Sequence, residues 1–261
     1  MQYLPFSNPK FSSLIQDLFS RAIFDQHVVN LLPKVLNLFK TYQSITRIEN
    51  AKIGIATEYG KPYFKLSKIF KQLEIPFDSI LPSEINDFDG DLIVTTEKEA
   101  PNQPSIPMLY DEIISKDPIV VKGIITKMLN SQTNSSKLVL GIDPGERIGV
   151  SVTYLENQIA RAFFVSIDKL IPYLITIMAE LPAARKIIKI GNGDMKTATK
   201  ILHMMNLKFC SKFEIEFVDE SSTSLKIKNY NQRGKRDMLS AQFISQRNGT
   251  AKSILPLSII G

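Results

Sequence analysis

Apolar positions change their spacing near residue 50 of the chain. Before it, Asn8-Pro9 reads as a helix cap with proline in the first turn. Phe11, Leu14, Ile15, Leu18, Phe19, Ala22 and Ile23 follow at the spacing of one amphipathic helix. A second helical stretch covers Val28–Phe39, with Pro33 marking a break or a new first turn. Beyond residue 50, short apolar runs alternate with helical ones. Ile53–Ala56, Phe77–Leu81, Leu92–Thr96 and Ile106–Tyr110 read as strands, and Tyr63–Leu73 and Pro118–Leu129 as helices. That order predicts a small α/β layer with mostly parallel strands. It carries no Gly-rich phosphate loop, and its acidic stretch Glu84–Asp91 reads as solvated surface.

The pattern shifts again after residue 136. Leu138–Ile142, Ile148–Tyr154 and Ile159–Ile167 read as strands, with turns at Pro144-Gly145 and Glu156-Asn157 between them. Asp168 is placed to cap a helix running to about Leu181. Lys186–Ile190 is a fourth strand, Met195–Met205 a helix, Phe213–Val218 a fifth strand and Lys235–Arg247 a last helix. Three strands joined by hairpins, then helix, strand, helix, strand and helix, resembles the element order of the ribonuclease H-like fold. The expected fold class is therefore α/β with two domains. The C-terminal one is a ribonuclease H-like mixed sheet of three antiparallel-connected strands, then two parallel strands, with helices. A small N-terminal α/β domain with leading helices precedes it.

Asn130-Ser131-Gln132-Thr133-Asn134-Ser135-Ser136 is small, polar and without periodicity, which is linker chemistry. It divides the chain into an N-terminal domain over 1–130, a linker over 131–136 and a second domain over 137–261. Charge follows the same division. Residues 1–136 carry 14 basic against 15 acidic side chains, and residues 137–261 carry 18 against 11. A neutral half joined to a basic one is the asymmetry of a chain that meets a polyanion with one domain.

Composition narrows the chemistry. With 261 residues the chain can bury a core without staples, and 44% apolar and 22% charged residues are ordinary globular values. One cysteine, Cys210, excludes a disulfide framework and a Cys-based zinc site. Two distant histidines, His27 and His203, argue against zinc hydrolases and most His-centred triads; His203 reads as a helix residue. No apolar run reaches membrane-span length and no signal-peptide layout opens the chain, so a soluble cytoplasmic protein is expected.

What remains is carboxylate chemistry. Asp143 ends the first strand of the second half, Asp194 follows the fourth in Gly191-Asn192-Gly193-Asp194, Asp219-Glu220 follow the fifth, and Asp237 opens the last helix. Ligands bind outside the carboxyl ends of such strands. Carboxylates gathered there repel one another unless a cation or proton lies between them. Oxygen ligation with scarce His and Cys suits Mg²⁺ or Mn²⁺. Alternation along Phe213–Val218 sends Asp219 and Glu220 to opposite faces, so only one of them reaches the pocket comfortably. The short polar side chain of Asp219 suits a cap for the turn over Ser221–Thr223. Lys226, Lys228, Arg233, Lys235 and Arg236, with Tyr230 among them, form a basic stretch that could hold phosphates and stack an unpaired base.

At these residues the chain resembles a known group. Gly141-Ile142-Asp143-Pro144-Gly145 with Gly149 is similar to the first-strand motif of the RuvC and YqgF branches of the ribonuclease H-like superfamily. Val218-Asp219-Glu220-Ser221-Ser222-Thr223 resembles an element of YqgF-type Holliday junction resolvase-like proteins. Lys235-Arg236-Asp237-Met238-Leu239-Ser240-Ala241-Gln242 resembles their final helix, an acid followed by small residues that allow close packing. Ile190-Gly191-Asn192-Gly193 is similar instead to the YqgF-like domain of Tex-type transcription accessory proteins. The likeness spans about residues 137–248. Two positions depart from it. Asp194 stands after Gly-Asn-Gly where RuvC proteins carry a glutamate at the end of the strand. Ser221 replaces the arginine that follows the Asp-Glu pair.

The resemblance implies a metal-dependent endonuclease acting on branched DNA. Asp143, Glu220 and Asp237 would hold Mg²⁺ or Mn²⁺, and Asp194 is a fourth candidate ligand. It also implies a homodimer, because opposite strands must be cut symmetrically. The alternative is a non-catalytic nucleic-acid-binding module in transcription or DNA repair. The N-terminal domain is left with no chemistry of its own and is a candidate for recruiting a protein partner.

Overall fold

The computed structural model describes residues 48, 50–130, 136–209, 211–219, 233–249 and 251–255, with 233–236 and 251–255 described in their backbone alone. The helices expected over 11–23 and 28–39, and Cys210, lie outside the described residues. Residues 45–261 form one compact unit that holds two sheets. The molecule is mixed α/β, with one parallel sheet and one mixed sheet, both packed with helices.

The first sheet contains β1 (Ile53–Ala56), β2 (Asp78–Ile80), β3 (Leu92–Thr95) and β4 (Met108–Tyr110) in the order β2-β1-β3-β4. All of its pairings are parallel. β1 and β3 are buried at every position, as central strands covered on both faces must be. Helix α1 (Gly60–Gln72) turns Leu66 and Phe70 into the core that these strands share with Val121 and Ile125. The acidic stretch after β2 is tied down locally. Glu84 accepts from the Leu81 amide at 2.8 Å, and Asp91 from the Lys52 amide at 2.8 Å.

Helix α2 (Pro118–Leu129) has the bounds that the sequence predicts. Asp117 caps it by accepting from the Ile119 amide at 2.9 Å, and proline opens it. Its apolar residues face two ways: Val121 and Ile125 join the core of the first sheet, and Val120 joins that of the second. Gly123 sits so close to Leu181 that any added Cβ would strike its side chain.

The second sheet contains β5 (Lys137–Asp143), β6 (Ile148–Tyr154), β7 (Asn157–Phe164), β8 (Arg185–Gly191), β9 (Phe213–Val218) and β10 (Ala251–Leu255), in the order β10-β9-β8-β5-β6-β7. β5, β6 and β7 are successive antiparallel neighbours, and β8 and β9 run parallel to β5. This is the connectivity expected from the order of elements. The antiparallel edge strand β10 is an addition to it.

Helices α3 (Ile167–Glu180) and α4 (Met195–Lys208) cover the face that carries Leu138, Leu140, Ile142, Ile188, Ile190 and Ile215. Helix α5 (Arg233–Gln246) lies along β5 and β6. Two local expectations shift by a residue or two. The β6–β7 turn is Leu155-Glu156, both with positive φ, as a two-residue hairpin requires. The cap of α3 is Ser166, which accepts from the Asp168 amide at 3.2 Å, so Asp168 belongs to the first helical turn.

Candidate active site

Along β5, Leu138, Leu140 and Ile142 enter the core, so Gly141 and Asp143 face the opposite side. In the antiparallel ladder Asp143 lies directly opposite Gly149 of β6. Both glycines are seats for α5. A Cβ on Gly141 would run into the Ala241 carbonyl and Ser245, and one on Gly149 into the Asp237 carbonyl. Ala241 and Ser245 stand four residues apart on one side of the helix and are buried. Bare backbone on the sheet thus meets small side chains on the helix, and the helix comes down until Asp237 rests on the strand partner of Asp143. The backbone of Asp237 thus lies against the strand partner of Asp143, and both acids are half-buried.

The other acids fare differently. Asp194 caps α4: one carboxylate oxygen accepts from the Thr197 amide at 3.0 Å and the other from the Thr197 hydroxyl at 2.7 Å. The Thr197 hydroxyl, then its amide, hold this carboxyl below its ordinary value. Asp194 therefore serves as the cap of its helix. Asn192 donates to the Val218 carbonyl at 3.1 Å and carries the β8–β9 ladder past the end of β8. Asp219 is exposed directly after β9, and its carbonyl accepts from Arg247 at 3.0 Å. Glu220, Lys226, Lys228 and Tyr230, and the turn that Asp219 was expected to cap, lie outside the described residues. Arg233, Lys235 and Arg236 fall in the first turn of α5, with backbone alone described. Among the described residues no group of three or more His, Cys, Asp or Glu stands close enough to hold a metal ion. His203 is exposed on α4, as a plain helix residue would be.

One feature on this face escapes the sequence reading. Lys189 of β8 and Glu216 of β9 are cross-strand partners, both buried, with Nζ and Oε2 3.3 Å apart. Lys189 also donates to the Arg247 carbonyl just past α5, and Glu216 accepts from the Gly249 amide at 3.2 Å. The pair therefore holds the C-terminal end of the helix whose N-terminal end carries Asp237.

A concavity lies at the carboxyl edge of the first sheet. It has a volume of about 660 Å³, and Tyr59, Lys61, Thr96, Lys98 and Asp111 are among its lining residues. Close to it, Glu99 accepts from the Glu58 amide and the Thr96 hydroxyl, each at 2.7 Å. Burial pushes its pKa up, but hydrogen bonds from Thr57, Thr96 and Glu58 outweigh this and hold it below the ordinary value.

No protein-family model matches the chain, and no curated protein does. Among solved structures it is similar to Aquifex aeolicus Argonaute, at 9% identity and a TM-score of 0.26, covering 70% of this chain and 39% of that one. It is also similar to Aa-Ago with externally bound siRNA, at 10% identity and a TM-score of 0.24, covering 67% and 37%. The chain spans less than two fifths of the length of these solved chains. No helix among the described residues is long and apolar enough to cross a membrane.

Proposed function

We propose that the protein is a metal-dependent endonuclease that hydrolyses phosphodiester bonds in branched DNA, as Holliday junction resolvases do. The observation that supports this is the seating of Asp237 on Gly149, the strand partner of Asp143. It would bring the two carboxylates to one end of a basic domain. Acids facing incoming phosphates hinder a simple binder, whereas a cation between them turns the repulsion into a site.

Asp143 and Asp237, with Glu220 from the segment after β9, would hold Mg²⁺ or Mn²⁺. The donor set is all oxygen, and one or two carboxylates with substrate phosphates commonly suffice for Mg²⁺. Bound ions of this kind supply activation of water and neutralisation of the departing oxygen. The chain's own part is positional: the β5–β6 ladder fixes Asp143, and the glycine-seated helix fixes Asp237. Lys226, Lys228, Arg233, Lys235 and Arg236 would neutralise phosphates beside them, while Tyr230 stacks on an unpaired base. A homodimer would cut two strands of opposite polarity symmetrically. The N-terminal domain would recruit a partner protein, and the domain division falls at 131–136.

A second reading, a non-catalytic nucleic-acid-binding module in transcription or repair, draws on Asp194, whose carboxylate serves Thr197. The deciding experiment offers four-way junctions, flaps, duplex and RNA–DNA hybrid to the protein with Mg²⁺ or Mn²⁺. Metal-dependent cutting is expected, and Asp143→Asn should abolish it while binding survives. Undiminished cutting by Asp143→Asn would sink the carboxylate mechanism, and binding without cutting by the wild type would favour the second reading.

A further inference from the structure

The register of the second sheet sets an aromatic and a basic side chain beside the two acids. Gly149 pairs with Asp143 on one side and with Phe163 of β7 on the other, and Ser151 pairs with Arg161. Directly opposed residues of a ladder share a face, so Phe163 and Arg161 lie on the face that carries Asp143 and α5. Two strand spacings, about 10 Å, separate the backbones of Asp143 and Phe163.

Both side chains are open to solvent. Phe163 is 47% exposed, Arg161 is exposed, and Val165, just past the end of β7, is 67% exposed. Single exposed apolar residues need no explanation. An exposed ring two residues from an exposed guanidinium, in register with Asp143, does. β7 is a terminal strand of its sheet, so this strip forms one rim of the acidic end.

We propose that Phe163 and Arg161 form a platform for an unpaired stretch of nucleic acid. The Phe163 ring stacks on one exposed base and the Arg161 guanidinium pairs with a flanking phosphate. This rests on the nuclease reading of the same sheet end and names what it engages: the unpaired nucleotides that branched substrates present. Charge complementarity favours this occupant over a second copy of a chain whose C-terminal half is itself basic, because Arg161 and that basic half attract a polyanion. Stacking suits such a position because every base offers a π face, so it selects unpaired over paired strands without reading sequence.

The test is fluorescence anisotropy of the full chain without divalent metal, on a labelled single strand, a flapped duplex and a blunt duplex over a range of salt. Phe163→Ala should weaken binding to the single strand and the flap by about tenfold and leave the blunt duplex nearly unchanged. Phe163→Trp should restore it. Arg161→Ala should lower the slope of log affinity against log salt by about one contact, and Arg161→Lys should keep it.

Equal binding of the flap by wild type and Phe163→Ala overturns the platform, whatever the cleavage result. So does a concentration-dependent dimer that Phe163→Ala disperses while nucleic-acid binding is unchanged, which would make this strip a contact between copies. A wild type that shows the expected binding pattern yet cuts nothing with Mg²⁺ or Mn²⁺ defeats the nuclease reading and leaves the platform standing. A wild type that binds none of the three probes defeats both.

Discussion

In the four-stranded sheet the carboxyl ends of β1, β3 and β4 open onto a cavity with mixed charges, whereas in the six-stranded sheet the ends of β5 and β8 carry acids that a helix meets or a cap absorbs. The strands behind these ends differ in the same sense. Ile53–Ala56 and Leu92–Thr95 carry no charge, as if only burial mattered. The six-stranded sheet spends Gly141, Gly149, Lys189 and Glu216 on one face, and all four meet α5 or the residues that follow it. In this sheet, glycine and buried charge mark the face that α5 approaches. In the small sheet Gly54 of β1 meets the Ile80 and Phe88 side chains instead, and the helices pack by apolar contact.

The largest expected effect concerns the helix that the two sheets share. A fragment of 137–261 lacks α2, which uncovers the surface that Val120, Ile119 and Ile124 bury. At about 1.5–3 kcal/mol for each fully buried side chain, a fragment of 117–261 should be more stable by roughly 5 kcal/mol. Urea unfolding of both fragments measures it. Equal stability would show that the second sheet needs nothing from the N-terminal side of 131–136.

Breaking the buried pair comes next. Glu216→Leu leaves the Lys189 ammonium without its buried counter-charge and should cost about 3–5 kcal/mol. The half-exposed pair Lys116–Glu180, at 3.0 Å, makes the contrast. Glu180→Ala should cost no more than about 1 kcal/mol. Denaturant midpoints of the two variants test it, and similar losses would remove the distinction between a buried clamp and a surface pair.

The glycine seats follow. Gly141→Val drives side-chain atoms into the Ala241 carbonyl, and about 1–3 kcal/mol is expected from overpacking. Gly60, at the start of α1 in the small sheet, has open space around its position. Gly60→Ala should stay within about 0.5 kcal/mol of wild type. Thermal unfolding of the two variants compares them, and a tolerated Gly141→Val would mean that α5 can ride higher on the sheet.

These contrasts explain what was legible in the sequence. Elements with a strong period were read almost to the residue: Pro118–Leu129 and Ile148–Tyr154 have the predicted bounds. The close approach of α5 to the sheet was legible in Gly141 and Gly149 and in the small residues that follow Asp237. The Asp194 cap was harder to read, since a Gly-Asn-Gly-Asp run gives the same letters for a ligand and for a helix cap, and the bonds from Thr197 are not local to that run. The Lys189–Glu216 pair was hidden because each charge on its own strand looks like an exposed alternate position. Only the parallel register, which no local pattern carries, sets one against the other. β10 was missed for a related reason: Ala251–Leu255 is short and acquires strand character by pairing with β9.

The smallest expected effect compares acids at the two sheet ends under falling pH. Glu99 is partly withdrawn from water, and burial alone would raise its pKa, yet its hydrogen bonds leave it below the ordinary 4.5. A carboxyl whose folded-state pKa lies below its unfolded value adds stability that is fully present above the unfolded value. That stability is lost as pH falls through the folded one. Glu99 should therefore contribute at neutral pH and stop contributing in the window just below 4.5. Glu99→Gln removes the titration but keeps a group able to accept from Thr96 and the Glu58 amide. Its unfolding midpoint should fall below wild type at pH 7, and the two should converge as the solution is taken below that window. Asp194→Asn should behave in the same sense around its ordinary 3.8, but more weakly, because Asp194 sits at the surface where water screens its charge. Parallel pH profiles for wild type and Glu99→Gln would show that the hydrogen bonds around Glu99 are equally strong to the neutral group. The end of the small sheet would then hold no charge that folding favours.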